Sequence, residues 1–485
     1  MSTSVQINRL STGVPGLNEV LGGGLPEFSF NLIAGPPGSG KTTLSHQMMF
    51  ALATPERPAL YFTVLGEPPL KMLRYQQQFE FFQSQALNHS VRYINLSMDT
   101  LAGDLDAVLA RVVSEVEAYS PGLVFIDSFR SVVLASQTQA NPNNNLPQFV
   151  QELGVMMTSW QATTFLIGEY FSPAESNPVF TVADGLIWMG QTVQRNSMVR
   201  QMQIMKMRGQ STLPGLHTFR IDQTGVTVFA PVQNSVEPLA AQSATRSRLK
   251  IGISGLDEML GGGLPKGYSL LVAGPSGSGK TILAASFLAA GANQGETGVI
   301  AVFEQHPNRS QSPELSRLIE ADRVGLVNSR ASDLSIDEIV HLLLLEVKRL
   351  GATRVVIDSL SGFELALAPT FRDDFRESLL CLVSALSQAG VSTLMTCELE
   401  DRYTDLRFSP YGTAFMTDAI IVQRYIEIDS RLLRVMAVVK VRASAHSDEL
   451  RRYDINEDGI VVGQPLRDRE GLLGGRPSQK LLRDE

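Results

Sequence analysis

Cysteine is nearly absent: 485 residues contain only Cys381 and Cys397. Two cysteines with no CxxC pair exclude a disulfide framework and a zinc ribbon. A reducing compartment, the cytoplasm, is the expected location. A dominant charge is also missing. Against 41 Lys+Arg stand 49 Asp+Glu, a formal net charge of −8. That balance is no footprint for a chain that works on nucleic acid or on an anionic membrane. No run of about 18 apolar residues occurs, so no membrane span is expected. The opening MSTSVQINRLSTG lacks the basic and apolar regions of a secretory leader.

What remains is ordinary globular usage, 44% hydrophobic, 19% charged and 7% aromatic, which excludes wholesale disorder. The length predicts two to four domains, each able to bury a core.

The strongest signal is internal repetition. RLSTGVPGLNEVLGGGLPEFSFNLIAGPPGSGKTT at Arg9–Thr43 returns as RLKIGISGLDEMLGGGLPKGYSLLVAGPSGSGKTI at Arg248–Ile282, identical at about 21 of 35 positions without a gap. FIDS at Phe125–Ser128 is answered by VIDS at Val356–Ser359. ADGLI at Ala183–Ile187 is answered by TDAII at Thr417–Ile421, and KMRG at Lys206–Gly209 by KVRA at Lys440–Ala443. A period of about 240 residues is too long for a solenoid unit and predicts a duplicated domain. The expected division is a first domain over 1–235, a linker over 236–247, a second domain over 248–465 and a flexible tail over 466–485, polar and Gly-, Pro-rich at its breaks.

Within each half, short apolar stretches alternate with helical patterns. SFNLIAG, ALYFTVL, GLVFID and TTFLIGEY read as strands buried on both faces, and LAGDLDAVLARVVSEVEAYS reads as a helix. Alternation of this kind predicts an α/β fold with a mainly parallel sheet flanked by helices. RQMQIMKMRG with HTFRIDQTGVTVF, and LLRVMAVVKVRA with RRYDINEDGIVV, predict hairpins added at the sheet edge.

GPPGSGKT and GPSGSGKT both match G-x-x-x-x-G-K-[ST], each between an apolar strand and a helical stretch. Such a loop rings phosphates with backbone N–H groups at a helix N-terminus, where a side chain would block the approach. The expected ATP-binding residues are Gly35, Pro36, Pro37, Gly38, Ser39, Gly40, Lys41, Thr42 and Thr43 in the first half. In the second they are Gly274, Pro275, Ser276, Gly277, Ser278, Gly279, Lys280, Thr281 and Ile282. Lys41 and Lys280 are expected to reach the β- and γ-phosphates, and Thr42 and Thr281 to ligate Mg2+. A strand ending in Asp follows about 80 residues later in both halves. Asp127 and Asp358 are therefore expected to complete the Mg2+ shells.

Together the LGGGLP loop, the tandem phosphate loops, the FIDS and VIDS strands and the KxR stretches resemble the KaiC family of RecA-like ATPases, over residues 8 to 465. The resemblance implies two RecA-like phosphate-loop NTPase domains stacked in a homo-hexameric ring, with ATP rather than GTP at each subunit interface. It implies that Lys206, Arg208, Lys440 and Arg442 reach the neighbouring subunit's γ-phosphate as an arginine finger does.

In that family the strand after the phosphate-loop helix ends in two glutamates, one serving as base toward the attacking water or hydroxyl. Here VIAVFEQHP places Glu304 and Gln305 at the pair, so Glu304 is the expected catalytic base, with Lys280 and Lys41 as catalytic cations. In the first half, Leu65 and Gly66 occupy the pair and Glu67 follows one place later. Leu65 cannot accept a proton, so slow hydrolysis is expected chiefly in the second half. Glu169 and Glu398 end the strand where RecA-like folds sense the γ-phosphate.

Circadian members of the family phosphorylate themselves on an adjacent Ser-Thr pair before the TDxII strand. Aligned on Thr417–Asp418, those positions are Ala414 and Phe415, which bear no hydroxyl. Thr413 and Thr417 lie nearby as alternatives. His217, His306 and His446 show no metal-ligand spacing and are read as surface or base-edge residues. The tail, with its apolar GLLGG, is a possible dock for a protein partner. Three further readings stay open: a nucleotide-gated scaffold without catalysis, an autokinase at another hydroxyl, and a RecA- or RadA-type DNA-dependent ATPase. Acidic balance and the lack of a basic loop weigh against the last.

Overall fold

The computed structural model describes residues 7–64, 69–97, 104–138, 145–172, 177–195, 197–231, 247–303, 313–328, 333–399, 415–428, 430–457, 459–466, 469–470 and 478–479. The chain separates into two compact units, Met1–Pro231 and Val232–Glu485.

In the first unit the strands are β1 (Arg9–Leu10), β2 (Leu25–Pro26), β3 (Phe30–Gly35), β4 (Ala59–Thr63), β5 (Val91–Asn95), β6 (Leu123–Asp127), β7 (Thr163–Glu169), β8 (Gly185–Gln194), β9 (Ser197–Met207), β10 (His217–Asp222) and β11 (Gly225–Val228). The second unit repeats them as β12 (Arg248–Leu249), β13 (Leu264–Pro265), β14 (Ser269–Gly274), β15 (Gly298–Val302), β16 (Val324–Asn328), β17 (Arg354–Asp358), β18 (Ser392–Glu398), β19 (Ala419–Ile428), β20 (Arg431–Val441), β21 (Arg451–Asn456) and β22 (Gly459–Pro465). Each unit builds a nine-stranded sheet, in the order β11-β10-β9-β8-β3-β7-β6-β4-β5 and its repeat β22-β21-β20-β19-β14-β18-β17-β15-β16. Strands from β5 through β8 pair parallel, and β8 through β11 pair antiparallel. These are tandem RecA-like α/β domains, with the expected hairpins at one edge.

Alternate residues of each parallel strand enter different cores, which is why the strands read as unbroken apolar runs. Ile33, Tyr61, Phe125 and Phe165 pack with the helix Lys41–Leu52 on one face. Leu32, Ala34, Phe62 and Val124 pack with helices Leu105–Tyr119 and Leu146–Ser159 on the other. The second sheet is enclosed the same way by Lys280–Ala292 on one face and by Ile336–Leu350 with Phe375–Gln388 on the other.

Two details depart from the sequence reading. The helix expected over 101–120 starts at Leu105, where the Asp104 carboxylate accepts from the N–H groups of Asp106 and Ala107. The outer strands β5 and β16 were not anticipated: VRYIN mixes buried and exposed positions, and the apolar run of VGLVN is short and interrupted by glycine. The LGGGLP loop is structural. Its Leu-Pro pairs antiparallel with Arg9–Leu10, and again with Arg248–Leu249.

Candidate functional site

The phosphate loops leave the C-terminal ends of β3 and β14, the central strands of their sheets. The helices Leu105–Tyr119, Leu146–Ser159 and Ile336–Leu350 begin at side-chain caps, Asp104, Asn145 and Ser335. The helices Lys41–Leu52 and Lys280–Ala292 begin at Gly40 and Gly279, with no capping side chain. Their first N–H groups therefore face the loop, the arrangement that accepts a phosphate. Gly40 and Gly279 sit at φ 97° and 96°, a left-handed region that favours glycine. A Cβ there would lie 2.5 Å from Ile221 and 2.8 Å from Ile455, side chains of the edge hairpins that back the loops.

Pro37 and Gly38, like Ser276 and Gly277, are exposed at the loop tips, whereas Gly35, Ser39, Gly274, Pro275 and Ser278 are buried. Pro36, Thr42, Thr43, Thr281 and Ile282 are half-buried beside them. The Lys41 ammonium donates to the Pro36 carbonyl at 2.8 Å, and Lys280 to those of Gly274 and Pro275 at 2.9 and 2.8 Å. Burial pushes Lys41 below its ordinary pKa, opposed by the carboxylates of Glu169 and Asp127. Ser39 Oγ is buried without a partner, whereas Ser278 Oγ donates to Gln423. A buried cation held by loop carbonyls, an uncapped helix start and an orphaned hydroxyl fit a polyphosphate ligand.

Asp127 ends β6, two strands from the loop, and Thr42 Oγ1 donates to its Oδ2 at 2.9 Å. Burial raises the Asp127 pKa, countered by hydrogen bonds from Tyr61 and Thr42 and by the Lys41 charge. Asp358 ends β17 at the same place and accepts from Thr396. A hydroxyl beside a carboxylate at a phosphate site is a hard oxygen donor set that suits Mg2+, which takes few protein ligands plus water and phosphate oxygens. Among the described residues no cluster of three His, Cys, Asp or Glu forms an all-protein metal site. The peptide bonds after both aspartates are cis.

Glu169 and Glu398 pair in register with Gly35 and Gly274, at the base of each loop, and are exposed. Lys206 and Lys440 lie one residue before the ends of β9 and β20, so Arg208 and Arg442 fall just beyond the strands that were expected to carry them. Each pair folds back on its own unit. Lys206 donates to the carbonyls of Thr181 and Ala183, and Arg208 pairs with Asp184 at 3.0 Å. Lys440 donates to the Thr417 carbonyl at 2.7 Å, and Arg442 pairs with Asp418 at 3.3 Å. Both arginines remain more than half exposed, at 60% and 56%.

Glu304, Gln305, His306, Leu65, Gly66, Glu67, Thr413 and Ala414 lie outside the described residues, as does the expected linker except for Ser247. Phe415 is exposed, and Thr417 is buried with its hydroxyl unpartnered. His217 is not a surface residue: it is fully buried on β10, and its Nε2 hydrogen-bonds the Leu213 carbonyl. His446 is half-buried. Sequence reading missed Tyr61, Ser45, His46 and Thr396, which surround the two aspartates. A lone Tyr or Thr inside an apolar strand carries no motif.

The fold and these paired sites define a tandem RecA-like protein with a phosphate loop in each unit. The chain belongs to the KaiC ATPase family, whose model matches residues 10–233 and again 249–467. It is similar to the circadian clock oscillator protein KaiC of Rippkaea orientalis, 26% identical over 99% of this chain and 93% of the relative. The proteins of the same name in Picosynechococcus sp. and Prochlorococcus marinus are 26% and 25% identical over 98% of this chain, covering 93% and 97% of their own lengths. Among the described residues no helix is long and apolar enough to cross a membrane.

Proposed function

We propose that this protein is a cytoplasmic, homo-oligomeric ATPase of the hexameric ring type that binds Mg2+-ATP in both units and hydrolyses it slowly, chiefly in the second. One observation carries the reading. Each unit sets an uncapped helix start, a loop lysine and a strand-end aspartate at the C-terminal ends of its inner parallel strands.

On this reading loop N–H groups hold the phosphates, and Lys41 or Lys280 exchanges its loop carbonyls for β- and γ-oxygens. Thr42 with Asp127, and Thr281 with Asp358, hold Mg2+, which when bound neutralises charge developing on the phosphates. Glu304 takes the proton of the water that attacks the γ-phosphorus as the bond to the β-bridging oxygen breaks and ADP leaves. Lys206 with Arg208, and Lys440 with Arg442, swing from their own carbonyls and aspartates to a neighbouring subunit's γ-phosphate. Leu65 and Gly66 at the base position in the first half support a unit that binds ATP mainly to hold the assembly. Signalling or timing is the role that this chain's similarity to circadian clock oscillator proteins suggests. The 466–485 tail is the proposed dock for a protein partner.

The test is γ-labelled ATP with purified protein, counting free phosphate and protein-bound label together. Free phosphate that is lost in Glu304→Gln, with no label on protein, supports the reading. Label on protein would redirect it to a kinase, and neither signal would make the protein a nucleotide-held scaffold.

A further inference from the structure

The two units hold the same carboxylate by different means. In the first, Tyr61 donates its hydroxyl to Asp127 Oδ2 at 2.8 Å, on the same oxygen that accepts from Thr42 at 2.9 Å. Tyr61 is fully buried on β4, where the register places Thr63 beside Asp127. Its ring stacks on Phe125 at 5.8 Å and meets His46 at 4.4 Å. Ser45 Oγ lies 3.3 Å from the phenol oxygen and donates to the Thr42 carbonyl. His46 Nδ1 donates to that same carbonyl at 2.7 Å. This shell grips both the phenol and the backbone of Thr42.

The second unit has none of these groups at the equivalent places. Its register sets Val302 beside Asp358, so Ile300 stands where Tyr61 does, with Ala284 and Ala285 for Ser45 and His46. The donor comes from the opposite neighbouring strand: Thr396 of β18, fully buried, donates to Asp358. Its first-unit counterpart, beside Asp127 on β7, is Ile167. Each unit thus has one buried hydroxyl on its aspartate from a neighbouring strand, delivered from opposite sides.

We infer that Tyr61 is a positioning residue for the first unit's metal-holding carboxylate, and that Thr396 performs the same task in the second. A half-buried carboxylate is held in orientation by the hydrogen bonds it accepts, and bonds to an ionisable oxygen are among the stronger ones in a protein. With two donors on Oδ2, the other oxygen is left to face the metal's water shell. Removing the phenol hydroxyl leaves Thr42 as the sole donor of the pair, and Thr42 is itself needed at the metal. The inference rests on the proposed Mg2+-ATP sites and adds that their metal affinities are set by separate, independently mutable residues.

The test measures binding of a fluorescent ATP analogue to full-length protein at rising Mg2+, with one loop silenced at a time. In Lys280→Ala protein, Tyr61→Phe is expected to raise the half-saturating Mg2+ about tenfold. Affinity measured in EDTA should stay unchanged, because the ring and its stacking remain. In Lys41→Ala protein, Thr396→Val should do the same and Tyr61→Phe should do nothing. An unchanged Mg2+ midpoint in Tyr61→Phe overturns the inference. Equal weakening with Mg2+ and in EDTA also overturns it, by reducing Tyr61 to core packing. If Lys280→Ala protein with Tyr61 intact binds no analogue, the nucleotide-site reading itself fails, and this inference with it.

Discussion

Arg354 offers a sharp test of how the second unit is held together. Its side chain is 1% exposed, at the start of β17. Nε donates to Glu296 at 2.6 Å, and one terminal nitrogen donates to the carbonyls of Lys250 and Phe287, both at 2.8 Å. The guanidinium also lies over the Phe287 ring, 4.7 Å from its centre. Space for it comes from Gly291, where a Cβ would sit 2.6 Å from Arg354 Nε. At the equivalent positions the first unit has Leu123 and Leu52, both buried in one core. Arg354→Leu removes three hydrogen bonds, two of them to carbonyls that keep no replacement from leucine. Losing this partly buried ion pair together with two buried carbonyl hydrogen bonds costs about 4 kcal/mol. For a unit of this size that lowers the thermal midpoint by roughly 8–16 °C. Adding Gly291→Leu recreates the first unit's pair and should restore about 2 kcal/mol, the burial of one leucine side chain. Scanning calorimetry on the full-length protein, following the transition that the substitution moves, reads both effects. A fall of less than about 3 °C in the single variant, or a further fall in the double, would refute this account of the packing.

If, as proposed, one subunit supplies the loop and its neighbour the arginine, mixing inactive Lys280→Ala and Arg442→Ala subunits in equal parts should restore hydrolysis at about a quarter of the interfaces; phosphate release that stays at background contradicts a role across the interface. Gly279→Ala should abolish nucleotide binding to the second unit, since alanine is strained at φ 96° and its Cβ meets Ile455 at 2.8 Å; calorimetric titration of Lys41→Ala protein checks it, and retained binding refutes it. Burial pushes Asp337 up to about 6. An acid whose folded pKa is raised costs stability that grows as pH rises from about 4 to 6 and stays lost above. Asp337→Asn should therefore raise the thermal midpoint at pH 7.5 and give no gain at pH 4, where the native side chain is already neutral; an equal gain at both would count against it.

Much of this fold was legible because duplication printed each motif twice. The loops, the strand-end aspartates and the edge hairpins all fell where spacing and apolar pattern put them. Legibility failed where two strands share one site. Tyr61 looks like any β-strand aromatic, and only pairing of β4 with β6 brings its hydroxyl to Asp127. Thr396 is equally silent between Met395 and Cys397 until β18 lies beside β17. His217 was misplaced for a related reason. A His opening an edge hairpin reads as exposed, yet the Leu213 carbonyl and the surrounding core accommodate it. The hairpin stretches RQMQIMKMRG and LLRVMAVVKVRA were expected to carry lysine and arginine together, but β9 and β20 end between them, and Arg208 and Arg442 pair with Asp184 and Asp418 beyond the strand ends.

The central claim is that each unit holds its own nucleotide through its own phosphate loop. Counting bound nucleotide per chain in purified protein, by denaturation and chromatography after saturation with Mg2+-ATP, tests it most directly. The account predicts two per chain in the native protein, one in Lys41→Ala or Lys280→Ala, and none when both are changed. Two nucleotides persisting in either single variant, or both lost together, would contradict it.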